Sequence, residues 1–345
     1  MASGRPVWKW NSRSGSSATS RYFSRTCSRS ASGSTTTSSA TNSSVISIFP
    51  RSAIVAYNIS HVLPSAHRHG SVIIDIISFY DEHPINEGSV LAGLQREGKD
   101  LAKLEPADLY PHDQDHYGHL EAVRTIAARL ELEPGQRLLD VCAGLGGPSR
   151  LLADEFGVQV QGLDLNAGRV AGAEKLTDLV GLGGLCSFRE GDATNMPFAA
   201  ESFDAALSQE AFIHIADKQA LFAELRRVLK PGGRLCFSDW VAGSGLSPDD
   251  RQRLQSDIFA QAIHEPEEYR GLIAAAGFHA VAAEDLTAWW HDLLIERLEM
   301  FRGMESDTVA SFGRQRHETY ITAYEFFVGR IIDGRLGGAR FLATG

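Results

Sequence analysis

Residues 138–152, LLDVCAGLGGPSRLL, combine a carboxylate, a thiol and three closely spaced glycines. Glycine adopts positive φ without steric cost and lets a ligand approach the backbone, and a helix that starts just after such a loop offers free N–H groups. The dinucleotide-binding pattern GxGxxG is incomplete, because Ser149 stands where the third glycine would be. The stretch therefore predicts either a tight turn or a site at which a ligand contacts the backbone.

Two further carboxylates follow the next predicted strands and favour a nucleoside ligand. Asp164 stands 20 residues after Gly144, where a carboxylate can accept hydrogen bonds from both hydroxyls of a ribose. Asp192, in the Gly-Asp-Ala sequence 191–193, is placed to receive an adenine amino group. Each has a structural alternative: Asp164 could cap a helix, although Asn166 suits that role, and Asp192 could stabilise a turn.

Strands and helices alternate from residue 137 onward, which predicts a parallel sheet covered on both faces. Right-handed crossovers would place the carboxyl ends of the strands at one edge, where ligands bind. A helical stretch, 288–336, precedes a last strand at 338–344. The other strands are predicted at 137–143, 158–165, 186–193, 203–209, 234–240 and 278–286, and helices at 89–97, 118–130, 167–180, 217–229, 249–263 and 266–276.

This set of motifs resembles that of class I S-adenosylmethionine-dependent methyltransferases over about residues 110–287. The resemblance implies an α/β, Rossmann-like fold: a seven-stranded, mostly parallel sheet with helices on both faces, an antiparallel last strand and a helical cap inserted before it. The sequence departs from the family at Cys142, where glycine is usual. The motifs are Asp140-x-Cys142-x-Gly144-x-Gly146, Asp164, Gly191-Asp192-Ala193, Ser202-Phe203-Asp204 and Leu229-Lys230-Pro231-Gly232-Gly233.

The resemblance implies that the cofactor is S-adenosyl-L-methionine. The residues expected to bind it are Tyr117, Asp140, Cys142, Ala143, Gly144, Gly146, Asp164, Leu165, Asp192, Ala193 and Gln209.

Two stretches, 142–157 and 208–218, look most like sarcosine/dimethylglycine N-methyltransferases and more distantly like phosphoethanolamine and quinone or tocopherol methyltransferases. The expected function is methylation of a small amine such as sarcosine or dimethylglycine. O- or C-methylation of a quinone- or tocopherol-type acceptor is the alternative. An NAD-dependent oxidoreductase is a remote alternative, because the third glycine is missing. A non-catalytic module would lack the cofactor carboxylates.

Catalytic candidates follow the fourth strand, which faces the methyl group in this family. Glu210 could neutralise an ammonium or act as a base, or it could only cap the next segment. His214 could be a base or a core histidine. Trp240, Trp289 and Trp290 are expected to offer aromatic faces to a methylated ammonium, or else to pack between cap and sheet.

The sequence HDQDHYGH, 112–119, places two histidines and two carboxylates close together, which raises the question of a metal site. Pro111 and Gly118 instead indicate a loop that enters a helix. The resembling family uses this region to cover the methionine end of the cofactor. We therefore expect His116, as a catalytic candidate, and Tyr117 to lie there, and we predict no metal.

Charge and composition narrow the possible partners. The net charge is −10, and residues 1–74 contain no acidic residue, so the rest of the chain is more acidic still. Such a surface disfavours nucleic acid. No apolar run is long enough for a membrane helix. We expect a small-molecule acceptor as the partner, and a homodimer is an open alternative.

The chain is predicted to comprise three parts. Residues 1–74 are rich in Ser and Arg and are expected to be disordered, either as a transit-like segment or as a mis-assigned start. Residues 75–131 form an N-terminal helical cap segment, and 132–345 form the methyltransferase domain with the insertion 288–336. Four cysteines without a CxxC pair favour a reducing, cytoplasmic location, unless the first segment directs the protein to an organelle.

Overall fold

The computed structural model describes residues 76–78, 80–81, 85–303, 305–306, 309 and 313–345. The predicted disordered segment 1–74 lies outside these residues and stays a prediction. All the described residues belong to one compact unit.

Seven strands form one sheet at the centre of this unit. They are β1 Arg137–Val141, β2 Gln159–Asp164, β3 Cys186–Glu190, β4 Phe203–Gln209, β5 Leu229–Ala242, β6 His279–Asp285 and β7 Leu336–Thr344. Their order is β3-β2-β1-β4-β5-β7-β6. Strands β1 to β5 pair in parallel, and β7 runs antiparallel to both β5 and β6. The predicted seven-stranded, mostly parallel Rossmann-like sheet is confirmed, and its strand order reverses at β1 and β4, where such folds bind ligands.

Helices flank the sheet, and several begin at residues that the sequence marks as caps. The Asn166 side chain accepts a hydrogen bond from Arg169 N, and Ser247 forms a capping box with Asp250. Residues 76–78 and 80–81 are also helical. The helices are α1 Glu87–Arg96, α2 Pro106–Leu109, α3 His119–Leu130, α4 Gly147–Phe156, α5 Ala167–Leu179, α6 Lys218–Val228, α7 Pro248–Ile258, α8 Pro266–Ala275, α9 Thr287–Gly303 and α10 Arg314–Ile332, with a 3-10 turn at Phe212–His214.

Alternate residues of the strands pack on opposite faces of the sheet. Leu139 and Ala206 lie in the core under α6 and α8, whereas Leu138, Ala205 and Leu207 lie in the core under α3, α4 and α5. Burial on both faces explains why β1, β4 and β7 have mainly apolar runs rather than alternating polarity. The sheet thereby fixes the positions of the strand ends that form the site.

The predicted insertion before the last strand is present as α9 and α10. Some predicted boundaries were wrong. The helix predicted at 249–263 ends at Ile258, because Phe259 has a left-handed backbone with φ of +54° and its N–H bonds back to Gln255 O. Strand β5 begins at Leu229 rather than 234, with an irregularity in its pairing opposite β4.

Candidate active site

A cavity of about 370 Å³ opens at the carboxyl ends of β1, β2 and β4. The loop after β1, residues 113–119 and helices α9 and α10 complete its lining. We call residues 113–119 the cover segment. Of the residues that the sequence predicted for the site, Gly146, Trp289 and Trp290 do not line this cavity, and all the others do.

The loop after β1 contains left-handed backbone at both cysteine and glycine. Cys142 has φ of +61°, a conformation that favours glycine, which is the residue usual at this position in the family it resembles. Gly144 has φ of +54°, and a Cβ built on it would meet no atom within 4 Å. Gly146 differs from the prediction: a Cβ there would lie 2.4 Å from the Phe188 ring, so packing rather than ligand contact requires this glycine.

Asp140, at the end of β1, is buried, and its Oδ2 accepts a hydrogen bond from Ser149 Oγ at 2.6 Å. Burial raises the pKa of the Asp140 carboxyl to about 7, and the bond from Ser149 partly offsets this. The pair joins the end of β1 to the first turn of α4 and so fixes the loop between them.

Asp164, at the end of β2, accepts two backbone hydrogen bonds. Gly144 N donates to its Oδ2 at 2.8 Å and Asn166 N to its Oδ1 at 2.9 Å. Burial raises the pKa of Asp164, and these two bonds act in the opposite direction. Because Asn166 caps α5, Asp164 is not needed as the cap, and its carboxylate joins the glycine loop to the end of β2.

Asp192, just after β3, is exposed and turns back on its own backbone. Its Oδ1 accepts hydrogen bonds from Thr194 N at 2.7 Å and from Thr194 Oγ1 at 2.8 Å. The turn that was the structural alternative is therefore present, and the residue also lines the cavity. One oxygen holds the turn, and among the described residues Oδ2 has no hydrogen-bond partner.

Glu210 directly follows β4 and has a left-handed backbone with φ of +49°. Its Oε1 accepts a hydrogen bond from Ser238 Oγ at 2.6 Å, and its Oε2 accepts one from Tyr117 N of the cover segment at 2.8 Å. Burial raises the pKa of Glu210 to about 7 despite these two donors. Strained backbone and a carboxyl that titrates near neutrality often mark functional positions.

His214 is neutral and paired with a tyrosine that the sequence did not single out. Its Nδ1 lies 3.2 Å from Phe259 O, and a carbonyl only accepts, so Nδ1 carries the proton. Its Nε2 therefore accepts a hydrogen bond from Tyr80 Oη at 2.9 Å. Burial lowers the pKa of His214 to about 4. The imidazole lone pair is thus engaged by a phenol at the cavity wall.

His116 lies in a buried chain of hydrogen bonds. Its Nε2 lies 2.9 Å from Gln114 Oε1, and its Nδ1 lies 2.9 Å from Gln209 Nε2 and 3.2 Å from Tyr117 O. Gln114 in turn donates to Asp113, which forms a fully buried ion pair with Arg150 at 2.7 Å. Burial lowers the pKa of His116 to about 4. This arrangement favours a positioning role over proton transfer.

The far wall of the cavity is aromatic and carries one arginine from the insertion. The rings of Tyr117 and Trp240 meet edge to face with centroids 5.7 Å apart. The Arg297 guanidinium carbon lies 5.8 Å from the Tyr117 ring centroid. Tyr324 and Phe327 of α10 complete this wall.

Trp289 and Trp290 do not line the cavity, and Trp290 follows the alternative that the sequence left open, packing between cap and sheet. Trp290 is fully buried, with its ring centroid 5.0 Å from that of Trp240 and 5.1 Å from that of Tyr117. Trp289 is 38% exposed and packs outside the cavity. Helix α9 directs these adjacent side chains into the core and towards the cover segment, so that of the three tryptophans only Trp240 lines the cavity.

The residues of the site that the sequence did not single out include Tyr80, Ser238, Arg297 and Tyr324. Ser238 could have been found, because it is the register partner of Gln209 in the parallel pair β4–β5. The others belong to helices without motifs, and only the tertiary structure brings them to the cavity.

Within the described ranges, no group of three or more His, Cys, Asp and Glu side chains is arranged to hold a metal ion. Across that part of the chain, none of the helices has the length and apolar character needed to span a membrane.

Part of this chain is similar to known methyltransferases. Residues 139–237 match the family model described as a methyltransferase domain. Phosphoethanolamine N-methyltransferase of Triticum aestivum is 30% identical over 227 residues, which are 66% of this chain and 44% of the relative. Sterol 24-C-methyltransferase ERG6B of Gibberella zeae is 35% identical over 170 residues, 47% of this chain and 44% of the relative. The chain thus spans less than half the length of these two relatives.

Solved structures share the fold. Phosphoethanolamine N-methyltransferase 2 of Haemonchus contortus, in complex with phosphomonomethylethanolamine and S-adenosylhomocysteine, is 26% identical with a TM-score of 0.60; the match covers 66% of this chain and 53% of that one. A candidate sarcosine dimethylglycine methyltransferase from Galdieria sulphuraria is 20% identical with a TM-score of 0.61, covering 75% and 97%. The second likeness bears on the fold alone.

Proposed function

We propose that this chain is an S-adenosylmethionine-dependent N-methyltransferase of a small amine that also carries an anionic group, such as sarcosine, dimethylglycine or phosphoethanolamine. The observation that carries the proposal is the Glu210 carboxyl, which is desolvated at the end of β4 and faces the cavity. The methyltransferase domain and the amine-methylating relative from wheat support it.

The lining fits the cofactor. The Asp164 and Asp192 carboxylates stand at neighbouring strand ends, as acceptors for ribose hydroxyls and an adenine amino group require. Gly144 leaves open the space that a Cβ would fill, and Gln209 has a buried Oε1 without a partner among the described residues. S-adenosyl-L-methionine would supply an electrophilic methyl group on a sulfonium, whose carbon–sulfur bond breaks with its electron pair staying on sulfur.

Glu210 would prepare the amine. An ammonium has no lone pair, so it must lose a proton before its nitrogen can bond to the methyl carbon. With a pKa of about 7, Glu210 can take that proton at neutral pH, at a position that burial has desolvated. His214 is a weaker candidate base, because the lone pair on its Nε2 already accepts a hydrogen bond from Tyr80 Oη.

Two features of the opposite wall suit the rest of such a substrate. The rings of Tyr117 and Trp240 provide faces for a methylated ammonium. Arg297 provides a cation for a carboxylate or phosphate. In this proposal the rings and Glu210 bind the nitrogen end of the amine, and Arg297 binds its anionic group.

The test is S-adenosylhomocysteine formation by the full chain with each of the three amines, a quinol precursor and a sterol. We expect turnover on at least one anionic amine. Glu210→Gln should lower kcat about 100-fold or more while the Kd for S-adenosylmethionine changes little, since a general base contributes about 10²–10⁴.

Glu201→Gln is the matched control, because Glu201 is exposed, lies outside the cavity and shares the left-handed backbone with φ of +54°. It should turn over like the unmodified chain. Equal losses of turnover and cofactor affinity in Glu210→Gln would instead mark Glu210 as structural.

C- or O-methylation of an apolar acceptor is a second candidate. Ile213, Ile258 and Phe327 give the far wall an apolar character, and a sterol C-methyltransferase is among the relatives. Turnover on the quinol or sterol with none on the amines would favour it and would contradict the amine proposal.

A further inference from the structure

Trp289 packs directly on the backbone of the cover segment. Gly118, which ends that segment's loop, has φ of +83°, and a Cβ built on it would lie 2.0 Å from Trp289 Cη2 and 2.3 Å from Cζ2. Only glycine allows so close an approach. The six-membered ring of Trp289 therefore occupies the space over Gly118 and fixes where the cover segment enters α3.

The neighbouring tryptophan holds the preceding residue. Trp290 is fully buried, and its ring meets that of Tyr117 edge to face at 5.1 Å. Trp290 also packs on Gly338 of β7, where a Cβ would lie 2.3 Å from Trp290 Cε3. The first turn of α9 thus contacts two consecutive residues of the cover segment, Tyr117 and Gly118, and packs on β7 through Trp290.

Tyr117, which contacts Trp290, is hydrogen-bonded to Glu210, the candidate base. Tyr117 N donates a hydrogen bond to Glu210 Oε2 at 2.8 Å. It is one of the two hydrogen bonds that the Glu210 carboxylate accepts, and the other comes from Ser238 Oγ. We propose that Trp289 is a positioning residue, which holds Gly118 and Tyr117 so that the Tyr117 N–H stays on the Glu210 carboxylate. This rests on the proposed function only for its catalytic consequence; the contact itself can be tested without turnover.

A donor on a carboxylate stabilises its ionised form, so losing the donor raises the pKa. The other groups that act on Glu210 are Ser238 and Asp239 of β5 and Arg340 of β7. Changing Trp289 alters none of them. A loosened Tyr117 N–H should therefore raise the pKa of Glu210 further above 7, by about half a unit to one unit for a bond of ordinary strength.

The pH dependence of the folding free energy reports the pKa of Glu210 without any measurement of turnover. The folded pKa of Glu210 lies above its unfolded value, so the stability of the chain relative to its Glu210→Gln variant should fall as pH rises from about 4.5 and become constant above the folded pKa. We would measure this difference by urea unfolding from pH 5 to 9. In the Trp289→Ala background the plateau should begin about half a unit to one unit higher, and Trp289→Phe should restore it partly.

His291→Ala is the control, because His291 lies two residues further along the same helix and pairs with Asp292 rather than with the cover segment. It should leave the plateau where it is. An unmoved plateau in Trp289→Ala would overturn the proposal, whatever the turnover of the chain.

A second variant covers the case in which Trp289→Ala is too unstable to titrate. Gly118→Ala should destabilise the normal chain more than it destabilises Trp289→Phe, because the new Cβ meets the indole ring in the first and a smaller ring in the second. Equal effects in the two backgrounds would contradict the contact. If the linkage result holds but Glu210→Gln turns over normally, the proposed function fails and the positioning role stands.

Discussion

The two halves of the cavity are built in different ways. The half that we propose for the nucleoside, called the nucleoside half below, comes mainly from one stretch of chain, 140–193, in which consecutive strand ends supply Asp164 and Asp192 and the loop after β1 supplies open backbone. The acceptor half combines the cover segment, the end of β4 and the insertion helices α9 and α10. Supersecondary geometry thus determines the first half, and long-range packing determines the second.

Sequence separation makes the contrast concrete. Asp164 bonds to Gly144 N, 20 residues away within a single strand–helix–strand unit. Glu210 bonds to Tyr117 N, 93 residues away along the chain and in a different segment. A local change should therefore disturb the nucleoside half alone, whereas the acceptor half should respond to changes far from its chemistry, including those at Trp289.

Asp164→Ala should have the largest effect of the variants that separate the two halves. It removes the acceptor proposed for the ribose hydroxyls and leaves the Gly144 and Asn166 N–H groups without their carboxylate. The Kd for S-adenosylmethionine, measured by calorimetry, should rise more than about tenfold, while kcat at saturating cofactor changes much less.

Asp192→Asn is the companion variant, because Asp192 is exposed and one of its carboxylate oxygens already accepts a hydrogen bond within its own turn. Its effect on the Kd should be smaller. An unchanged Kd in Asp164→Ala would remove the ribose assignment and, with it, the claim that this half is set by strand ends.

The predictability of the fold follows the same division. The strand–helix alternation predicted the parallel sheet, because apolar runs and helix caps are local signals, and the family resemblance implied the antiparallel last strand. The end of α7 was missed, since Phe259 adopts a left-handed backbone that its residue type does not signal. Such positions depend on tertiary contacts that no local pattern records.

Arg297→Gln should have an intermediate effect confined to the acceptor half. If Arg297 binds the anionic group, the KM for an anionic amine should rise about tenfold, the size expected for one charge-assisted hydrogen bond, with cofactor affinity unchanged. Ethanolamine, which lacks the anionic group, should be a poor acceptor for both proteins and should show no such change.

Arg302→Gln is the matched control on the same helix, because Arg302 is exposed and pairs with Glu299 and Glu325 away from the cavity. Its KM values should equal those of the unmodified chain. A parallel rise for ethanolamine in Arg297→Gln would show that the change distorts the wall rather than removes an anion contact.

The site was predictable to the extent that its residues follow strands. Glu210 and Gln209 were found because they end β4, and Ser238 was findable from its register opposite Gln209. For Trp289 and Trp290 the sequence left two roles open, because aromatic side chains on a helix look alike whether they face a ligand or a neighbouring segment. Tyr80 and Arg297 carried no signal at all, since a single tyrosine or arginine on a helix is usually only solvated.

Cys142 offers the smallest effect and tests whether backbone conformation sets the nucleoside half. At an ordinary position glycine is less stable than alanine by about 0.5–1 kcal/mol, because it loses more freedom on folding. At φ of +61° the preference should reverse, since a Cβ in left-handed backbone costs about 1–2 kcal/mol. Urea unfolding should therefore find Cys142→Gly more stable than Cys142→Ala.

Cys236 provides the internal reference, because it is a buried cysteine within β5 and is not among the described residues with positive φ. There Cys236→Gly should be the less stable of the same two substitutions. Opposite signs at the two cysteines would mean that the chain carries backbone strain at the loop where the family it resembles has glycine, and that packing around Asp140 and Ser149 maintains it. The same sign at both would mean that the loop relaxes around its side chain, so that its shape, like that of the acceptor half, depends on what packs against it.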